Sequence, residues 1–130
     1  MKILSLLMMG VVLLITGCGS SDPSGGAGGS SRINAEQGKE MMSDGQEYVL
    51  VDVRTQEEYD SGHIQGAILI PVDELQTRAV DELTNQDVRI IIYCRSGNRS
   101  ATAARILVNL GYTHVYDMGG VLDWPYELVH

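Results

Sequence analysis

The run Val88-Arg89-Ile90-Ile91-Ile92-Tyr93 is the strongest strand signal in this 130-residue chain, and it constrains the fold more than any other segment. Cys94 follows at once. A short polar loop then leads into a helical pattern over Ser100–Leu110 that turns Ala103, Ile106, Leu107 and Leu110 inward and meets Gly111 as a natural C′ residue. A strand feeding directly into a helix is half of a parallel crossover unit. Repeated along a chain, it predicts a parallel sheet covered by helices on both sides. In such sheets ligands bind at the carboxyl ends of the strands, where the loops enter the helices. Cys94 stands at such an end.

The rest of the chain repeats the pattern. Asn34-Ala35-Glu36-Gln37 is a capping box that opens a helix running to about Met42, before the turn Asp44-Gly45. Val49-Leu50-Val51 is apolar on consecutive positions, as in a strand buried on both faces. Thr55-Gln56-Glu57-Glu58 is a second capping box, for a short helix that stops near Gly62. Ala67–Ile70 is strand-like and ends at Pro71. Val72–Leu83 has helical spacing with Val72, Leu75, Ala79, Val80 and Leu83 expected on one face, and Thr113–Tyr116 is a last strand. One domain fits this length.

Residues 1–17 read as export machinery rather than fold. Met1 and Lys2 give a positive start, and the apolar run Ile3–Ile15 is too short for a permanent span, which takes about 20 residues. Ile15-Thr16-Gly17-Cys18 resembles a bacterial lipobox, which implies cleavage after residue 17 and a lipid on Cys18. Residues 18–31 then form a lipidated cysteine and a tether of Gly, Ser, Ala, Pro and Asp, a composition that buries no apolar surface. On this reading residues 32–130 are the domain. It is extracytoplasmic and lipid-anchored to a bacterial membrane. The formal charge of −8 argues against nucleic acid, whose binding needs clustered cations.

With Cys18 committed to lipid, Cys94 is the only thiol left, so an internal disulfide is excluded. Its surroundings, Tyr93-Cys94-Arg95-Ser96-Gly97-Asn98-Arg99-Ser100, favour a thiolate. A helix N-terminus offers unpaired N–H groups and partial positive charge. Arg95 and Arg99 add two cations, and Gly97 with its small neighbours lets successive amides curl inward as an anion nest. Two cations in one loop of an acidic protein suggest a small anionic substrate. No second Cys or His stands near for a metal, and no cofactor motif is present.

The chain resembles single-domain rhodaneses at four ordered places. Cys94–Ser100 looks like their active-site loop, and Gly62-His63-Ile64-Gln65-Gly66-Ala67 followed by Ile70-Pro71 resembles the upstream signature. Asp52-Val53-Arg54 with Glu57-Glu58-Tyr59 is similar to the segment before it, and Gly119-Gly120-Val121-Leu122-Asp123-Trp124 to the closing signature. The resemblance implies a five-stranded parallel sheet between helices and a sulfurtransferase acting through a Cys94 persulfide. It further implies a small anionic sulfur donor such as thiosulfate, and a thiol, cyanide or a protein as acceptor. The backbone of Arg95, Ser96, Gly97, Asn98 and Arg99 would hold the persulfide, while the two arginines attract the donor. Asp52, Arg54 and His63 are then supporting residues: a polar pair near the loop and a structural hydrogen-bonder.

Three rival readings are weaker. The spacing C-x4-R is one residue shorter than the C-x5-R of phosphatases and arsenate reductases, so the cradle suits sulfur better than phosphate. A thiol redox sensor lacks a resolving cysteine. A sulfur carrier or partner-binding module without turnover is the main alternative. Arg99 could also be an ion-pair partner for an acidic neighbour, and Trp124, Tyr93, Tyr112 and Tyr116 read as packing.

Overall fold

A computed structural model describes residues 29–130. The cleavage and lipid expectations, Cys18 included, fall on residues outside the described range. Five parallel strands and four helices follow in the order β1 (Ser30–Arg32), α1 (Ala35–Ser43), β2 (Tyr48–Asp52), α2 (Gln56–Ser61), β3 (Ile68–Leu69), α3 (Val72–Glu82), β4 (Arg89–Cys94), α4 (Asn98–Asn109) and β5 (Val115–Gly120). A 3-10 turn, Val121–Asp123, follows the last strand. The sheet order is β1-β5-β4-β2-β3, which puts β4 in the centre.

The two-residue period of β4 divides the core. Ile90, Ile92 and Cys94 face α3 and α4, among Leu75, Ala79, Leu83, Ala103, Ala104 and Leu107. Ile91 and Tyr93 face the other way, against Leu50, Ile64, Ala67 and Met118, with Met41, Met42, Tyr59 and Trp124 packed around them. Ile90, Ile91 and Ile92 are all fully buried. A strand covered on both sides therefore delivers its last residue, Cys94, to the sheet edge with no freedom to shift register.

Both capping boxes form. Gln37 N–H donates to Asn34 Oδ1 at 2.8 Å and Asn34 N–H to Gln37 Oε1 at 2.9 Å. Glu58 N–H donates to Thr55 Oγ1, and Thr55 N–H to Glu58 Oε1, both at 3.3 Å.

Two expectations change. Ser30 and Ser31, assigned by composition to the tether, pair in parallel with Val115 and Tyr116 of β5. An edge strand is held by its backbone hydrogen bonds, which small polar side chains do not prevent, so the ordered domain starts before residue 32. Val80 is 62% exposed rather than inward. Leu75, Ala79 and Leu83 recur every four residues and take the buried face of α3. Val80 lies about 100° around the helix from Ala79.

Candidate active site

Cys94 ends β4 and is 1% exposed. The chain then turns through Arg95, Ser96 and Gly97, and α4 begins at Asn98. Gly97 makes the turn possible: it caps the helix with φ +109°, a left-handed conformation that side chains resist. In that conformation its N–H donates to Cys94 Sγ at 3.0 Å.

The balance of forces on the thiol favours ionisation. Burial raises its pKa and is the largest single influence, yet the donors around the sulfur outweigh it and the net shift is downward. Those donors are the Ser100 hydroxyl and the amides of Ser100, Gly97 and Ser96. The Ser100 hydroxyl also donates to the Gly97 carbonyl at 3.0 Å. Ser100 is fully buried, so this donor cannot be replaced by water from outside. Amides and a hydroxyl, rather than the arginines, therefore lead the lowering of the thiol pKa. The motif by itself gives Ser100 no separate role.

Arg99 does not stand free. Its Nη1 and Nη2 donate to Glu58 Oε1 and Oε2 at 2.7 and 2.9 Å, a bidentate pair. That pair pulls the Glu58 carboxyl from the usual 4.5 to about 2. Expected as a donor-attracting cation, Arg99 is already neutralised by a residue 41 positions upstream. Arg95 is exposed and has no ion-pair partner among the described residues. Ser96 and Asn98 are exposed on the loop rim.

The loop is braced from behind. A Cβ on Gly120 would lie 2.3 Å from the Arg95 carbonyl oxygen and 2.7 Å from Ser96 Cα, so only glycine fits there. The Leu122 N–H donates to that same carbonyl at 3.2 Å. Gly120 is the register partner of Cys94, reached through an irregularity in the β4–β5 pairing between Ile92 and Cys94.

Asp52 and Arg54 do form a pair. Both are buried, with Nη2 to Oδ2 at 2.8 Å and Nε within 3.0 Å of both oxygens. Arg54 also donates to the Gly62 carbonyl at 2.7 Å. Tyr93 is more than packing, since its hydroxyl donates to Asp52 Oδ2 at 2.8 Å and accepts from the Ile64 N–H at 3.1 Å. This cluster ties the residue before Cys94 to the Gly62–Ala67 segment. His63 lies outside it. It stacks on Tyr59 at 3.7 Å and its Nδ1 donates to the Tyr59 carbonyl at 3.0 Å, while its backbone pairs with Val129.

A cleft of about 450 Å³ runs beside the loop between α3 and α4, lined by Val72, Asp73, Gln76, Asn98, Arg99, Thr102 and Ile106. A larger hollow of about 750 Å³, around Lys39, Tyr48, Gln65, Trp124 and Tyr126, includes no residue of the 94–99 loop. Size alone does not locate the chemistry. Trp124 packs against the α1-side core, and its buried Nε1–H has no hydrogen-bond partner among the described residues.

Among the described residues, one cysteine, Cys94, lies buried at a strand-to-helix loop of a parallel α/β domain. The chain belongs to the rhodanese-like domain family, whose model matches residues 34–126. It is similar to a thiosulfate sulfurtransferase, PspE, of Escherichia coli strain K12: 40% identical over 73 residues, 56% of this chain and 70% of that protein. A putative sulfur carrier protein, YrkF, of Bacillus subtilis strain 168 is 36% identical over 107 residues. That alignment spans 82% of this chain but only 57% of YrkF. Among solved structures, a rhodanese with anions from E. coli superposes with a TM-score of 0.60 at 36% identity, covering 63% of this chain and 96% of that one.

Proposed function

We propose that the protein is a sulfurtransferase that moves sulfane sulfur through a persulfide on Cys94. The observation that carries this reading is the buried Sγ with the Gly97 amide 3.0 Å away and its pKa pulled down by surrounding donors. Family membership and sulfurtransferase-named relatives support sulfur transfer in general. With thiosulfate as donor, the Cys94 thiolate attacks the terminal sulfur and a new S–S bond forms. The original S–S bond breaks, and sulfite leaves with its electron pair. The negative charge now sits on the outer persulfide sulfur, where the amides of the nest can hold it. An acceptor thiolate or cyanide then attacks that outer sulfur and regenerates the Cys94 thiolate.

Intact-mass measurement after thiosulfate treatment tests the reading. Wild type is expected to gain one sulfur atom and Cys94→Ser none. A wild-type protein with unchanged mass overturns it. The relative named as a sulfur carrier motivates a second reading, in which the domain holds sulfur for a partner without turnover. Sulfur loading with no multiple turnover to cyanide or a small thiol favours the carrier.

We also propose that the domain works outside the cytoplasm, held to a membrane by lipid on Cys18. The lipobox-like Ile15-Thr16-Gly17-Cys18 supports this, as does the Gly/Ser-rich stretch behind it.

A further inference from the structure

We propose that Arg32, on the edge strand β1, is a donor-binding residue that holds the anionic end of the sulfur donor at the rim of the Cys94 loop. The proposal rests on the sulfur-transfer reading and names a contact that the sequence motifs do not include.

Topology puts Arg32 there. It is the last residue of β1, at the carboxyl edge of the sheet, the same edge at which β4 delivers Cys94. Its Nη2 lies 3.4 Å from the point where a Cβ on Gly97 would sit and 3.1 Å from the corresponding point on Gly119. Gly97 is the residue whose N–H touches Sγ, so the guanidinium rests against the outer surface of the nest itself. Gly119 makes room for it. With φ +82° at the β5 irregularity, Gly119 has no side chain to fill the space the guanidinium uses.

Charge points the same way. A dianionic donor needs a cation within reach of its sulfonate, in a protein of formal charge −8. The Arg99 guanidinium is engaged by both oxygens of Glu58. Arg32 is held far more loosely: its Nη1 lies 3.7 Å from Asp117 Oδ2, and its side chain is 66% exposed. Asp117 Oδ1 is meanwhile occupied by the Gly119 N–H at 2.9 Å. An exposed guanidinium with a distant counter-ion can turn to an incoming anion at little cost. Arg99 would have to break a bidentate pair to do so.

The test compares wild type, Arg32→Gln and Arg32→Lys in the full chain. Arg32→Gln should raise the KM for thiosulfate roughly three- to ten-fold, the range of one partly exposed charge-assisted contact, with kcat unchanged. Arg32→Lys should recover most of the loss. The salt dependence of kcat/KM should be shallower in Arg32→Gln, because one screened attraction is gone. Alkylation of Cys94 by neutral iodoacetamide should proceed at the wild-type rate in both variants, and protection by inorganic sulfate should need more sulfate in Arg32→Gln. An unchanged KM and unchanged sulfate protection overturn the proposal. So does a parallel fall in kcat and iodoacetamide rate, which marks a merely structural residue. A wild type that gains no sulfur from thiosulfate overturns the sulfur-transfer reading instead, while the sulfate arm still reports on Arg32.

Discussion

The guanidinium of Arg99 lies against the carboxylate of Glu58, Nη1 to Oε1 at 2.7 Å and Nη2 to Oε2 at 2.9 Å, joining the helix after the cysteine loop to the helix after β2. The same Glu58 Oε1 receives the Thr55 N–H of its own capping box. One carboxylate thus caps the start of α2 and holds Arg99 on the far side of the cysteine loop. Its charge state therefore links stability to pH.

Glu58→Gln should destabilise the domain by about 1 kcal/mol at neutral pH, a modest figure because both side chains are partly exposed and screened by water. The carboxyl has a lowered folded pKa, about 2 against the usual 4.5. Its stabilisation is therefore complete above 4.5 and is lost as pH falls through 2. Urea midpoints of wild type and variant should differ at pH 7 and converge towards pH 2. Equal midpoints at pH 7 would mean the pair contributes nothing.

Cys94 should react with iodoacetamide with an apparent pKa below that of an ordinary thiol, so its reactivity is already developed on the acid side of the usual thiol titration. Ser100→Ala removes a buried donor and should raise that pKa. Arg99→Gln should raise it less, because the arginine is already paired with Glu58. A pH–rate profile of alkylation on the three proteins decides the order. A larger effect from Arg99 would return the arginine to the leading role.

Gly120→Ala should inactivate the loop and cost roughly 2–3 kcal/mol of stability, because a Cβ there meets backbone rather than a flexible side chain. Thermal unfolding and sulfur uptake should fall together. A variant with a normal Tm and normal uptake would show that the loop yields more easily than its packing implies.

Tyr93→Phe should lower stability by about 1–3 kcal/mol, since the buried Asp52 carboxylate loses a donor and the Ile64 amide loses its acceptor. Burial, reinforced by the Asp52 charge, pushes the Tyr93 hydroxyl pKa up, so it remains a donor throughout the accessible pH range. Chevron or equilibrium urea unfolding reads the loss, and an unchanged midpoint would remove the hydroxyl from the brace.

Cys18→Ala should move the protein from the membrane fraction to the soluble fraction, with sulfur uptake on Cys94 intact. Fractionation followed by intact-mass analysis checks both. Continued membrane partitioning of the variant counts against the lipid.

Much of this protein is written locally in its sequence. The apolar run ending at Tyr93 determined a central strand, and Asn34–Gln37 and Thr55–Glu58 determined two helix starts. The cysteine between a strand and a helix marked the candidate nucleophile. Each of these signals lies within a few residues, where periodicity, capping and backbone freedom operate without help from the rest of the chain. Only the tertiary structure decided how the charges were shared. Whether Arg99 meets a substrate or Glu58 depends on two helices 41 residues apart along the chain being brought together. The arrival of Arg32 at the loop depends on two serines serving as an edge strand beside β5, a role their composition does not announce. The need for glycine at position 120 follows from a backbone that passes within contact distance 25 residues after Arg95. Such relations are set by sheet order and register, and no local pattern contains them.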